Sequence, residues 1–204
     1  MFCEGFQHFP GFFQADEQSA LVSDIACVLD QAPLFKPVMP RTGKPFSVEM
    51  SNAGCLGWVS DINGYRYQPT HPVTGSPWAP IPRRMLDLWN ELVDWPDLPE
   101  ACLINVYRDG AKMGSHRDSD EDAKDAPVIS VSLGDTARFH VGGPRRANPK
   151  QRVNLQSGDV VVLAGAARQV YHGIDKVMAG TSDILDDLFL GGGRINLTLR
   201  RVTI

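Results

Sequence analysis

The chain has 204 residues, of which 43% are hydrophobic and 22% charged, as in an ordinary globular protein with one large core. Its net charge of -4 excludes a protein that coats nucleic acid by bulk electrostatics, so any nucleic-acid contact must be local. The opening residues do not resemble a secretory signal and no run could span a bilayer, which predicts a monomeric cytoplasmic protein without membrane contact.

Two helices are predicted in the first half of the chain. Asp16 to Gln31 has apolar residues at helical spacing, and Pro82 begins a second helix that ends before Pro96. Between them, Pro40 to Pro80 is rich in Gly, Pro, Asn and aromatic residues, with short extended pieces at Phe46–Ser51 and Gly64–Tyr67. We expect this segment to form a loop-rich lid.

From Ala101 onward the pattern changes to short β-type runs separated by turn residues. These runs are Cys102–Tyr107, Val128–Leu133, Ala137–Val141, Val153–Leu155, Val160–Leu163 and Ile195–Val202. Short strands without intervening helices favour an antiparallel sandwich or jelly roll over a parallel sheet. The chain is therefore predicted to be one domain, residues 1–204, mainly β with flanking helices. Residues 1–95 or so would hold the helices and the lid, and residues 96–204 or so the jelly-roll core.

Three residues are candidate metal ligands. His116 and Asp118 alternate, so both side chains project from the same face of an extended segment, and His172 follows a nearby strand. Two imidazoles and one carboxylate leave coordination positions open, which is the pattern of non-haem Fe(II) oxygenases. A His-x-Asp tripeptide alone is a weak signal. The other histidines, His8, His71 and His140, are expected to be structural.

A polar face lies within the last apolar run. Strand alternation aims four side chains at one side: Arg194, Asn196, Thr198 and Arg200. An arginine on a β scaffold is a bidentate clamp for a carboxylate, and a 2-oxo acid bound to iron needs its far carboxylate held. Asn105 and Tyr107 also alternate and would complete this pocket. The alternatives are a solvated basic terminus for Arg200 and a plain loop charge for Arg194.

Several motifs follow one another along nearly the whole chain. They are Ala101-Cys-Leu-Ile-Asn-Val-Tyr107, His116-x-Asp118-x-Asp120-Glu121, Pro127–Gly134, Gly158–Val162, Tyr171-His-Gly173 and Arg194-x-Asn-x-Thr-x-Arg200. In this order they resemble the AlkB dioxygenases, and the likeness continues into the lid through Asn52–Trp58, Gly64–Tyr67 and Trp78. The resemblance implies a double-stranded β-helix, or jelly roll, with an N-terminal nucleotide-recognition lid.

The resemblance also implies a reaction and its participants. The expected enzyme is an Fe(II)- and 2-oxoglutarate-dependent dioxygenase that uses O2 to demethylate N-alkylated bases of the 1-methyladenine and 3-methylcytosine type. This is direct-reversal repair with release of formaldehyde. Its substrate would be alkylated single-stranded or double-stranded DNA, with RNA as a further candidate.

Site residues are implied in three groups. Iron is assigned to His116, Asp118 and His172. The 2-oxoglutarate residues would be Asn105, Tyr107, Arg194, Asn196 and Arg200, with Arg200 on the distal carboxylate. The flipped base would lie between Trp58 and His116, with Asp120 facing its cationic ring and the nucleotide site lined by Tyr65, Met50 and Arg146.

These base-binding types have physical reasons. A flipped base needs flat partners, and methylation of a ring nitrogen on its pairing edge makes it a cation that a carboxylate favours. Gly142–Arg152 carries four positive charges and no acid, which makes it the best candidate for contacts to phosphates. The alternatives are a packing role for Trp58, a solvated loop acid at Asp120 and a solvated basic hairpin.

Two other functions stay open on the sequence. One is a 2-oxoglutarate oxygenase acting on a protein or a small molecule, which would not need Trp58, Asp120 or the basic segment. The other is a non-catalytic nucleic-acid-binding β-barrel with structural histidines. Gly180–Gly193 is expected to lengthen the connection into the arginine strand, which leaves the register before Arg194 open.

Overall fold

A computed structural model describes residues 3–204, in which antiparallel strands predominate. The elements in chain order are β1 Phe6–Phe9, α1 Ala15–Gln31, β2 Glu49–Gly54, β3 Gly57–Asp61, β4 Gly64–Gln68, α2 Arg83–Leu92, β5 Ala101–Tyr107, β6 Met113–His116, β7 Val128–Gly134, β8 Thr136–Val141, β9 Gln151–Leu155, β10 Val160–Leu163, a short 3-10 helix Gly165–Ala167, β11 His172–Met178 and β12 Arg194–Arg200. Within this described part of the chain, no helix is long and apolar enough to cross a membrane.

Two sheets enclose the pocket. The larger one has the strand order β1-β10-β7-β12-β5-β2, and the smaller one the order β6-β11-β8-β9. Side chains of both sheets line one cavity of about 380 Å³. Two facing antiparallel sheets around a cavity are the jelly-roll architecture expected from the sequence.

Both predicted helices are confirmed. The apolar stripe of α1 is buried through Leu21, Ile25 and Val28, and that of α2 through Met85 and Trp89. All of these side chains belong to the main hydrophobic cluster under the larger sheet. Each helix therefore covers the outer face of that sheet and leaves the other face to the pocket.

The segment predicted as a lid divides into two structural parts. Strand β2 pairs with β5 and so extends the larger sheet, whereas β3 and β4 form a separate hairpin. The hairpin sits close to the body because Gly57 has no side chain: a Cβ there would lie 2.4 Å from the Trp78 ring. Asn52 holds the hairpin by two hydrogen bonds of 3.0 Å to the backbone of Trp58.

The six predicted β runs are all strands. The connection before β12 does not shift the register of that strand. Leu185 and Phe189 of that connection are buried in the core, and Leu185 packs against Gly134. Arg194 pairs with Tyr107 on one side and Gly134 on the other. Because Leu185 packs against the Gly134 that pairs with Arg194, the insertion folds back on β7 and the arginine strand keeps its register.

Candidate metal centre and pocket

Strand register brings the three predicted metal ligands together. His172 at the start of β11 pairs directly with His116 at the end of β6, and Asp118 follows two residues later. The ligand atoms of these three residues all lie within 4.8 Å of one another. His116 Nε2 is 3.7 Å from Asp118 Oδ1, and His172 Nε2 is 4.0 Å from Asp118 Oδ2. One ion could contact all three groups.

Backbone carbonyls orient both imidazoles. The Nδ1 of His116 is 2.9 Å from the carbonyl of Gly114, and that of His172 is 3.1 Å from the carbonyl of Val170. Because Nδ1–H donates to a carbonyl, the lone pair of each ring is on Nε2, which faces Asp118. This tautomer leaves Nε2 of each ring free to bind a metal ion.

The electrostatics of the triad suit a cation. Burial and the nearby His116 lower the pKa of His172 to about 4, so its ring is neutral at neutral pH. Burial by itself would raise the pKa of Asp118, but the charge of the neighbouring Arg200 guanidinium opposes burial, and that pKa lies well below its usual range. The site therefore presents the neutral imidazole of His172 beside the ionised carboxylate of Asp118.

Strand β12 forms a polar wall of the same cavity. As strand alternation predicts, the cavity is lined by Arg194, Asn196, Thr198 and Arg200 together with Asn105 and Tyr107 of β5. Arg194 is fully buried, and its terminal nitrogens donate to the carbonyls of Asp135 and Leu155 and to the Ser132 hydroxyl. Burial lowers the pKa of Arg194 to about 10, which still leaves it protonated at neutral pH.

Three residues that line this cavity have a buried polar atom without a hydrogen-bond partner. Among the described residues, these atoms are Arg194 Nε, Arg200 Nε and the Asn105 side-chain oxygen. Buried polar groups are almost always paired, so the cavity suits a polar ligand that would supply the missing hydrogen-bond partners. A dicarboxylate anion fits a wall with two buried guanidinium groups.

Arg200 contacts one of the predicted metal ligands. Its Nη2 is 2.9 Å from Asp118 Oδ1, which places this guanidinium beside the triad. Arg194 is six residues earlier on the same strand face, at the other end of β12. The strand therefore presents one guanidinium beside the metal ligands and a second one away from them.

Aromatic and charged side chains surround the cavity mouth. Trp58 Nε1 donates to Asp120 Oδ2 at 2.8 Å, and the Trp58 ring stacks on Tyr65 with centroids 5.6 Å apart. Arg146 lies over the Tyr171 ring at 5.2 Å, and Met50 is buried in the cavity wall. All of the predicted base-binding residues therefore border the same cavity as the metal ligands.

In the basic segment Gly142–Arg152, two arginines are exposed and a third is paired with a carboxylate. Arg145 and Arg146 are exposed, whereas Arg152 donates to Asp175 at 2.9 Å.

The other three histidines have partners of their own. His140 donates to Asp175 at 2.7 Å, His8 contacts Asp159 at 2.9 Å, and His71 contacts the Pro33 carbonyl at 2.8 Å. These three histidines lie outside the triad, as the sequence analysis expected.

A buried hydrogen-bonded group behind the metal ligands was not predicted from the sequence. Arg168, Glu121 and Tyr67 are hydrogen-bonded to one another in series, and Arg168 also donates to the Asp118 carbonyl. Arg168 stands two residues before Val170, in a stretch without a strand pattern. A single arginine in such a stretch of sequence indicates a surface charge. Only the structure shows that Arg168 is buried and hydrogen-bonded.

The model of the 2OG-Fe(II) oxygenase superfamily matches residues 5–200. An AlkB homolog of Caulobacter vibrioides, described as an alpha-ketoglutarate-dependent dioxygenase, is 48% identical over 197 residues, which cover 97% of this chain and 87% of the relative. The chain belongs to the AlkB family of 2OG-Fe(II) oxygenases.

Other AlkB relatives agree. AlkB of Escherichia coli is 42% identical over 193 residues, covering 93% of this chain and 86% of that protein. The solved structure of OsALKBH1 superimposes with a TM-score of 0.79 at 27% identity and covers 98% of both chains. The AlkB resemblance and the jelly roll are thereby confirmed. The chain is an oxygenase that depends on Fe(II) and 2-oxoglutarate, with O2 as the second co-substrate.

Proposed function

We propose that this enzyme removes methyl groups from ring nitrogens of nucleobases in alkylated DNA. The observation that carries the proposal is the hydrogen-bonded pair of Trp58 and Asp120 at the mouth of the cavity that holds the triad. It combines a flat surface for a flipped base with a negative charge for a cationic one. A site for a small acid or a peptide would need neither.

His116, Asp118 and His172 would hold the iron, because their ligand atoms converge and the Asp118 carboxylate is ionised beside the neutral ring of His172. The bound metal, with 2-oxoglutarate and O2, supplies the oxidation that hydroxylates an N-methyl group while the co-substrate becomes succinate and CO2. The hydroxymethyl group then leaves the nitrogen as formaldehyde, which restores the base.

The wall of β12 would bind 2-oxoglutarate. The unpartnered Nε of Arg194 is assigned to the distal carboxylate, and the buried Tyr107, whose pKa is raised by burial, remains a neutral hydroxyl beside it. Asn105 and Asn196 line the space between the two arginines. Arg200, next to Asp118, would contact the end of the co-substrate that approaches the metal.

The flipped base would stack on Trp58 and lie against His116, with the carboxylate of Asp120 beside it. Stacking of Trp58 on Tyr65 and the hydrogen bond to Asp120 fix the indole plane before any base arrives. A preformed plane reduces the entropic cost of ordering the site. Met50 and Arg146 would line the remaining nucleotide contacts.

Exposed Arg145 and Arg146 would contact the phosphates of a single or double strand. The tRNA demethylase abh1 of Schizosaccharomyces pombe is 28% identical over half of this chain, which makes RNA a further substrate to test. We propose that residues 1–204 act as one monomeric domain. Chromosomal DNA as the substrate would place the enzyme in the cytoplasm.

The test is a demethylation assay on purified protein with Fe(II), 2-oxoglutarate and ascorbate. Oligonucleotides carrying 1-methyladenine or 3-methylcytosine should lose 14 mass units, about the mass of one CH2 group, with one succinate and one formaldehyde formed per event. A His172→Ala variant controls for contaminating activity. Succinate formation that no methylated oligonucleotide stimulates would instead favour a protein or small-molecule substrate.

A further inference from the structure

A buried ion pair lies directly behind the metal ligands. Arg168 Nη2 and Glu121 Oε2 are 3.1 Å apart, and the two side chains are only 2% and 1% exposed. Glu121 is among the residues that line the cavity, whereas Arg168 is not, and neither was assigned to the metal ion or to 2-oxoglutarate. Their position therefore needs a separate explanation.

Arg168 joins the two chain segments that carry metal ligands. Its Nη1 donates to the Asp118 carbonyl at 2.8 Å, and its Nε donates to the Ala126 carbonyl at 2.7 Å. The next residue, Gln169, donates to the same Asp118 carbonyl at 3.0 Å. The residue after that, Val170, accepts from His172 Nδ1. One guanidinium thus fixes the backbone of Asp118 relative to the segment that orients His172.

Glu121 extends this arrangement to the hairpin and to the co-substrate wall. Tyr67 of β4 donates to Glu121 Oε1 at 2.5 Å. Arg200 Nε lies 3.4 Å from the same oxygen, near enough for charge attraction although the angle does not make a hydrogen bond. The carboxylates of Asp118 and Glu121 therefore lie beside two guanidinium groups, those of Arg168 and Arg200. Two formal negative charges thus face two formal positive charges.

Stability alone does not account for such a pair. A buried ion pair loses much hydration, and apolar residues of the same volume are often as stabilising or more so. What a fork of hydrogen bonds adds is a fixed geometry, because each donor of the guanidinium points in one direction. Here those directions lead to the backbone of one metal ligand and to the carboxylate three residues later.

We propose that Arg168 and Glu121 are positioning residues that set the distance between Asp118 and His172 for the metal ion. The proposal rests on the proposed iron ligands and concerns affinity for the ion, not contact with it. Groups that orient metal ligands typically change metal affinity by about 10- to 100-fold when they are altered. Arg168→Lys keeps the charge but loses the fork, and Glu121→Gln keeps the shape but loses the charge.

The experiment is a titration of the metal-free full-length protein with Mn(II), followed by electron paramagnetic resonance. Arg168→Lys and Glu121→Gln should each weaken Mn(II) binding by about 10- to 100-fold. Arg201→Lys is the matched control, because Arg201 is also ion-paired, with Glu100 at 3.5 Å, and is not among the residues that line the cavity. It should leave the Mn(II) affinity within about twofold.

Melting temperatures of the metal-free proteins separate positioning from folding. If Arg168→Lys melts lower but binds Mn(II) like the parent, the pair is merely structural and the proposal is overturned. If Arg168→Lys does not fold, Tyr67→Phe removes only the hydroxyl that holds Glu121, and unchanged Mn(II) affinity in both Tyr67→Phe and Glu121→Gln overturns it equally. If His172→Ala binds Mn(II) as tightly as the parent protein, the assignment of the iron ligands themselves is refuted. That result differs from the one that overturns the positioning role of Arg168 and Glu121.

Discussion

The charge of Asp120 can be tested separately from its hydrogen bond to Trp58. In Asp120→Asn the side-chain carbonyl still accepts from the indole N–H, so the Trp58 plane is kept while the negative charge is lost. Asp120→Ala removes both. The two variants therefore separate attraction of a cationic base from orientation of its stacking partner.

The magnitude follows from the position of the carboxylate. The indole N–H reaches Asp120 at 2.8 Å. A base in van der Waals contact with the indole, at about 3.5 Å, then lies roughly 5 Å from the charge. A unit pair at that distance is worth about 0.8 kcal/mol in bulk water and about 3 kcal/mol at an effective dielectric of 20. Asp120 is solvent-exposed, so we expect about 1 to 2 kcal/mol, or about 5- to 30-fold in kcat/KM.

The assay compares oligonucleotides with cationic 1-methyladenine and neutral 1-methylguanine in one sequence context. Asp120→Asn should lose about 5- to 30-fold on the cationic lesion and less than about twofold on the neutral one. Asp120→Ala should lose activity on both. Formation of succinate without oligonucleotide should be unchanged and serves as the control. Equal losses of Asp120→Asn on the two lesions would refute the electrostatic argument.

Three further outcomes are expected. His172→Ala should abolish turnover but keep the β-sheet circular dichroism of the parent, because the hydrophobic cores do not depend on this residue; global unfolding would contradict this. Arg194→Lys should raise the KM for 2-oxoglutarate at least tenfold, since an ammonium cannot replace the fork, whereas oligonucleotide binding followed by fluorescence anisotropy should stay the same. Trp58→Ala should weaken the binding of methylated oligonucleotide by about 1 to 3 kcal/mol through lost stacking, and an unchanged KM for that oligonucleotide would remove Trp58 from the base site.

Much of the fold could be predicted because its patterns are local. The apolar stripe around Leu21 buries one face of a helix, and its periodicity shows this directly. The continuous apolar run Val160–Leu163 is a strand buried on both faces, which such a run also predicts. Strands β6 and β11 were missed because Gly114, Gly173 and Lys176 interrupt their apolar character. Their pairing depends on partners far along the chain, which no local pattern contains.

The site shows the same division. Alternation along Arg194–Arg200 predicted correctly that one polar face would line the cavity. Alternation has no information about which end of that face lies near the metal ligands, so it did not predict the contact between Arg200 and Asp118. Arg168 was missed for a similar reason, because its three partners lie 42 to 50 residues away in sequence.

The contact between Arg200 and Asp118 separates folding from iron loading. A buried carboxylate without a counter-charge would disfavour the folded chain until a metal arrived. Here the guanidinium provides that counter-charge at 2.9 Å, so the ligand carboxylate is neutralised in the metal-free protein. The metal-free chain is therefore expected to keep its fold, and adding Fe(II) should load the site without any refolding step.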